Sequence, residues 1–298
     1  MSIYSQINKN RWRTYLIFAL FIFITSGFFY LIGQFFDSAS SYFLAGLLFS
    51  TVSTFGSYFY SDKIILFSTG ARPADKKNFF NFYTVAENLS LAAGLPMPKL
   101  YVIDDPSCNA FATGRNPQHA SVCATTGLLT KLSRAELEGV IAHELSHIKN
   151  YDMLLMSVVA VLVGSISLVS DWLMRGVFWG NFSHRDDDRD RNPLIFFAAI
   201  IMLIITPLIA TMIQLAISRK REFLADADAA LLTRYPEGLA RALERISQDR
   251  NQLRTASMAT VHLFIINPFK TQKTLNWLTN LFSTHPPIEE RIRILRSM

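Results

Sequence analysis

The stretch SRAELEGVIAHELSH, residues 133–147, decides how the chain is read. Ser133 followed three residues later by Glu136 is a capping box. The hydroxyl accepts from an orphan N–H of the first turn, and the carboxylate reaches back to the cap. This predicts a helix over 134–150. Residues i and i+4 share one helix face, so the imidazoles of His143 and His147 can both reach a single metal ion. Glu144 lies one step round the cylinder, where it suits a general base for water better than a ligand. Two imidazoles and a carboxylate in this order form the HExxH pattern.

A catalytic zinc site takes three protein ligands and keeps one position open, so a further ligand is required. The longer pattern HExxHxxGxxH is absent: the chain continues Ile148-Lys-Asn-Tyr-Asp152, and the next histidine is His184. A carboxylate from a second helix is the other solution, and Glu222 in SRKREFLADAD (218–228) is the best candidate. Alone it reads as a solvated acid beside an Arg/Lys cluster; beside HExxH it reads as a ligand. Asp226, four residues on and on the same face, is placed to receive the second N–H of a ligating imidazole.

Composition sets the surroundings. Of 298 residues, 50% are apolar and 17% are charged, and 24 are Phe; mean hydropathy is +0.24. Soluble domains carry about 25% charged residues. These figures exclude a disordered chain, a coiled coil and an ordinary water-soluble enzyme. Four stretches have the roughly 20 residues needed to cross a bilayer: Thr14–Phe36, Ser38–Ser61, Met153–Met174 (interrupted only by Asp171) and Pro193–Ser218. Lys9, Arg11 and Arg13 precede the first, and Lys63, Arg72, Lys76 and Lys77 follow the second, which predicts a cytoplasmic N-terminus. Arg175, Arg185, Arg189 and Arg191 in the loop between the last two stretches run against that bias and leave the depth of the second hairpin open.

The expected fold is α+β and mostly helical, a polytopic membrane protein with about four transmembrane helices and a cytoplasmic HExxH domain. Its parts are a membrane hairpin (1–61), the first half of the cytoplasmic domain with the HExxH helix (62–152), a second apolar hairpin (153–218) and the second half carrying the third ligand (219–298). Within these halves, Ala74 to Leu95 reads as a helix ending at Gly94, and Lys99–Ile103 and Ser121–Ala124 read as strands. His147 stands about six residues before the third stretch, roughly 9 Å if helical, and Glu222 about four after the fourth. A membrane hairpin therefore returns both ligand helices to one face, at the cytoplasmic membrane surface. The net charge of +6 comes largely from cations flanking apolar runs, so membrane lipid is expected as a partner and nucleic acid is not. Cys108 and Cys123 lack metal or redox spacing and read as buried thiols in a reducing compartment.

Two N-terminal apolar stretches, Asn109-Ala-Phe-Ala-Thr-Gly114, His143-Glu144 with His147, two further stretches, Glu222 to Asp226 and Thr284-His-Pro-Pro287 follow one another along nearly the whole chain. This ordered set resembles the HtpX family of membrane zinc metalloproteases, related to the CAAX prenyl endopeptidases. The resemblance implies a gluzincin-like domain holding one Zn2+ per chain through His143, His147 and Glu222, with Glu144 catalytic. It also implies proteolysis of membrane or misfolded proteins at the cytoplasmic face of the bacterial inner membrane, in quality control or stress response. His285, held by two prolines, resembles the family's His-Pro motif and is the candidate for stabilising the oxyanion. Asn109, Ala110, Phe111 and Ala112 are candidates for an edge strand that pairs with an extended substrate backbone. Two other readings stay open. An intramembrane protease needs its ligands inside a span, against which Lys149, Asn150 and Asp152 speak. A non-enzymatic scaffold with a structural metal needs a fourth protein ligand.

Overall fold

The computed structural model describes residues 3–34, 37–181, 219–249 and 286–298, with isolated residues between 251 and 265. Helices α1 (Ile3–Gln34) and α2 (Ala39–Ser68) form an antiparallel hairpin. Its pairings run in opposite directions along the two helices: Phe18 against Tyr58, Ser26 against Ser50, Phe29 against Phe49, Tyr30 against Phe43. The buried face of α2 is small and hydroxylic (Gly46, Ser50, Thr54, Ser57, Ser61). Its outer face is apolar, with Leu44, Leu48, Val52 and Phe55 each more than 60% exposed. Small residues inside and bulky apolar ones outside on α2 is a pattern that suits close helix packing within lipid. Among the described residues the segment Ile7–Gln34 is long and apolar enough to cross a membrane. The second expected stretch is helical from Ala39 and the third lies within one helix, neither of them by itself meeting that test among the described residues, and Pro193–Ser218 is outside the described residues.

A four-stranded sheet follows, in the order β1-β2-β4-β3. β1 (Arg72–Pro73) pairs antiparallel with β2 (Lys99–Ile103), β2 parallel with β4 (Ala120–Thr125), and β4 antiparallel with β3 (Ala110–Gly114). Ala112 stands opposite Val122. Between β1 and β2, α3 spans Phe80–Ala93. It ends as expected on Gly94, whose φ of +66° closes the last turn with Leu95 N–H bonded to the Ser90 carbonyl. Its start is six residues later than the sequence reading, because Arg72–Pro73 and the Ala74 N–H are bonded to β2. The short α4 (Thr126–Lys131) leads into α5 (Arg134–Lys149), whose capping box forms as read: Ser133 N–H to Glu136 Oε2 at 2.7 Å, Glu136 N–H to Ser133 Oγ at 3.5 Å.

The chain then turns 84° into α6 (Asp152–Asn181). Tyr151 makes the corner with φ of +59°, a conformation that costs a non-glycine residue about 1–2 kcal/mol. α6 is locked to α1 by Ile17 and Phe21 packed on Leu155, Val158, Val159 and Leu162; burying each such side chain is worth about 1.5–3 kcal/mol. α7 (Arg219–Thr233), α8 (Pro236–Gln248) and α9 (Ile288–Arg296) complete the described fold. They share a core with α3, α5 and the sheet, through Leu137, Val140, Ile141, Ala229, Leu243 and Leu295 among others. α8 approaches α5 closely at Gly139, where a Cβ would stand 2.7 Å from the Leu239 backbone nitrogen.

Candidate metal centre

α5 places His143, Glu144 and His147 on its buried side, each less than 5% exposed. α7 packs across α5 and delivers Glu222, which is 2% exposed. His143 Nε2 and His147 Nε2 stand 3.2 Å apart, their rings perpendicular with centroids 4.7 Å apart. Glu222 Oε2 is 3.7 Å from His143 Nε2, and Oε1 is 3.6 Å from His147 Nε2. One ligand atom from each residue falls within a 4.8 Å cluster.

The outer nitrogens explain what that cluster fits. His143 Nδ1 lies 3.0 Å from Asp226 Oδ1, and His147 Nδ1 lies 3.2 Å from Asp152 Oδ2. A carboxylate at each Nδ1 selects the Nδ1–H tautomer and leaves both Nε2 lone pairs facing inward. Two lone pairs and a carboxylate converging in a dry pocket call for a cation. The carboxylates around the pair also draw positive charge: burial lowers His143, while His147 holds a proton that a cation would displace. Burial lowers His147, but the bond to Asp152 and the charges of Glu222 and Asp152 outweigh it and push the imidazole up to about 9. This donor set fits a divalent metal.

Each supporting carboxylate is itself held. Arg291 of α9, with no exposed surface, grips Asp226 through Nε to Oδ2 at 2.8 Å and Nη2 to Oδ1 at 2.6 Å, and its Nη1 lies 3.6 Å from Glu222. Burial favours the neutral acid at Asp226, but this guanidinium keeps its pKa below the usual carboxylate range. Asp152 Oδ1 accepts from Arg221 Nη1 at 2.9 Å and from the Asn10 amide of α1 at 2.8 Å. That amide also donates to the Asn150 carbonyl at 2.9 Å, and its oxygen accepts from Arg221 at 3.0 Å. Ser146 Oγ donates to Asp228 Oδ2 at 2.7 Å, a second fastener between α5 and α7.

Glu144 is pushed up to about 7, first by burial and further by the Glu222 charge; His147, the Ala112 backbone N–H and Arg291 hold it from rising more. A carboxylate poised there exchanges a proton readily near neutrality. The Ala112 N–H belongs to β3, the last strand of the sheet, so β3 carries the candidate substrate residues Ala110, Phe111 and Ala112 alongside Glu144, with Asn109 just before it. Asn109 is buried, and its side-chain oxygen accepts from the Ile265 and Ala110 backbone N–H groups, both at 3.1 Å. Ala110, Phe111 and Ala112 are buried too, with Phe111 packed edge-on against Phe264. His285 lies outside the described residues.

Sequence reasoning missed Asn10, Asp152, Arg221 and Arg291. Arg291 had a signal: with Ile288 and Leu295 it lies on the buried stripe of α9, where an arginine must have a partner. Arg221 sits in a cation cluster that read as solvated.

Residues 78–298 match the model of peptidase family M48. The chain is 44% identical over 303 residues to a "Protease HtpX homolog" of Caldanaerobacter subterraneus subsp. tengcongensis, covering 100% of this chain and 98% of that protein. It is 44% identical over 297 residues to one of Dictyoglomus thermophilum (100% and 95%), and 42% identical over 297 residues to one of Tropheryma whipplei (99% and 98%). Among solved structures it is similar to Ste24p of S. mikatae, with a TM-score of 0.48 and 22% identity, over 95% of this chain and 66% of that protein.

Proposed function

The chain belongs to peptidase family M48, among its membrane-bound HtpX metalloproteases, and from that premise we propose a zinc endopeptidase that cuts membrane or misfolded proteins at the cytoplasmic face. In this reading His143, His147 and Glu222 hold one Zn2+ per chain, Glu144 is the general base, and Asp226 and Asp152 fix the imidazoles. The observation that carries it is the spacing of the two inner imidazole nitrogens from each other and from the Glu222 carboxylate, whose Oε2 faces His143 and Oε1 faces His147. Ligand atoms about 2.0–2.1 Å from a tetrahedral zinc stand roughly 3.3–3.5 Å apart, and the separations here are 3.2, 3.6 and 3.7 Å.

When bound, the metal supplies Lewis acidity toward a carbonyl and a water. The chain does the rest. Glu144 takes the proton of the attacking water and passes it to the leaving amine nitrogen. The outer edge of β3 offers backbone groups to an extended substrate through Asn109–Ala112. His285 on its Pro-Pro loop is the candidate donor to the oxyanion.

The four-span topology and the four-part division of the chain (1–61, 62–152, 153–218, 219–298) belong to the same proposal. The lipid-type packing of α1 on α2 and the cations at their shared end support it. So does the 84° corner that sends α6 away from the HExxH helix. The setting is the bacterial inner membrane, in quality control or stress response.

Metal content and peptide cleavage of detergent-purified protein test the reading. The wild type is expected to hold one zinc. Glu144→Gln keeps the metal and loses cleavage; Glu222→Ala loses both. Cleavage retained by Glu144→Gln, free of contaminating protease, defeats the mechanism. Thiol labelling of Asp37→Cys and Lys77→Cys tests the topology: Asp37→Cys reacts from outside intact cells, Lys77→Cys only after permeabilisation.

A further inference from the structure

A cavity of about 280 Å3 opens where α1, α2, the turn after β3 and the α5–α6 corner meet. Its walls include Arg11 and Tyr15 of α1, Tyr58 of α2, Arg115 and Asn116 after β3, and Tyr151 at the corner; no carboxylate lines it. Among the described residues neither Arg11 nor Arg115 has an acidic partner, whereas Arg221, Arg245, Arg291 and Arg296 each have one. Instead the two cations rest on rings, Arg11 at 4.9 Å from the Tyr151 centroid and Arg115 at 5.3 Å from that of Phe59. Stacking positions a guanidinium and leaves its N–H fork available for an anion.

The position of the cavity favours one source of that anion. On α1 it sits where the uncharged run begins at Thr14, and on α2 just before the run ends at Ser61. This is the level of lipid headgroups, and tyrosines are enriched there. From beneath Arg115 an apolar stripe continues along one face of α2: Phe59, Phe55, Val52 and Leu48, exposed by 47%, 62%, 61% and 67%. A paired-cation cavity opening onto an apolar track matches a molecule with an anionic head and an acyl tail.

We infer that this cavity binds the phosphate of an acidic membrane lipid, with Arg11 and Arg115 on the phosphate and the acyl chain along the outer face of α2. The site is independent of the metal-ligand assignment.

Full-length protein, reconstituted in nanodiscs of phosphatidylcholine with added phosphatidylglycerol, tests it by mass spectrometry of the lipid retained after re-extraction. The wild type is expected to retain phosphatidylglycerol over phosphatidylcholine by about thirtyfold, the order two cations near a headgroup supply. Arg11→Gln/Arg115→Gln brings the ratio to parity, while the exposed-cation control Lys77→Gln/Lys99→Gln leaves it unchanged. A ratio unaltered in the Arg11→Gln/Arg115→Gln protein overturns the proposal. So does displacement of the lipid by millimolar inorganic phosphate, which marks a free-phosphate site, or by a soluble acidic peptide, which marks a substrate site. Melting in phosphatidylcholine alone reports folding of each variant. If the double variant does not fold, Arg115→Gln, changed only in a surface turn, is expected to lose part of the enrichment, and an unchanged ratio there rejects the site.

Discussion

Replacing Arg291 by Met separates a buried ionic clamp from ordinary packing. The guanidinium has no solvent-exposed surface and makes two charge-assisted bonds to Asp226, at 2.8 and 2.6 Å, with Glu222 3.6 Å away. Met fills similar volume, so the loss is electrostatic: Asp226 keeps His143 as a partner but loses its counter-charge. Removing one member of a buried pair costs about 3–5 kcal/mol. At roughly 2–4 °C per kcal/mol for a larger domain, the melting point falls by about 6–20 °C. Loss of Asp226 as a fixed support also weakens metal binding by about 10–100-fold. Arg291→Met/Asp226→Asn removes both charges and is expected to recover most of the stability but not the metal affinity. Arg296→Met, on the same helix but with exposed partners, is expected to melt close to wild type. Thermal unfolding in detergent and zinc titration with a chromogenic chelator give the two readouts. A single variant as stable as wild type, or a double variant no better than the single, refutes the reasoning.

Asn10→Ala removes the amide that joins Asp152, Asn150 and Arg221; metal affinity is expected to fall by about tenfold or more, while membrane insertion, followed by carbonate extraction, is unchanged. Gly139→Ala drives a methyl to 2.7 Å from the Leu239 nitrogen and is expected to cost about 1–3 kcal/mol as overpacking, read as a lower melting point. Both cysteines are buried, and burial with the neighbouring Asp249 pushes the Cys108 thiol up to about 12. A raised thiol pKa keeps the group protonated at pH 8, so maleimide labelling of folded protein is expected to be slow and to accelerate on denaturation; fast labelling of the native state contradicts the buried setting.

The HExxH helix, its cap and strands β2 and β4 were legible because each is written in local spacing: hydroxyl and carboxylate three apart, imidazoles four apart, β-branched runs bounded by turns. Glu222 was legible only because HExxH required a partner. Asn10 was not, since nothing near it in the chain hints at Asp152, 142 residues away. The start of α3 was misplaced for a related reason: residues 72–74 pair with β2, a tertiary bond that overrides a helical pattern. The resemblance carried the family; the clamps behind the three clustered residues come only from the packing of α1, α7 and α9 around α5.

The amide of Asn10 has a practical corollary. It ties the first apolar helix to the carboxylate beside His147, so that helix is a structural member of the candidate metal centre. A fragment made by trimming away the first hairpin would keep His143, Glu144, His147 and Glu222, yet lack the brace that aims one imidazole. Attempts to dissect anchor from enzyme should therefore yield a protein with a loosened grip on its ion, and intact chains in lipid are the proper specimens for kinetics.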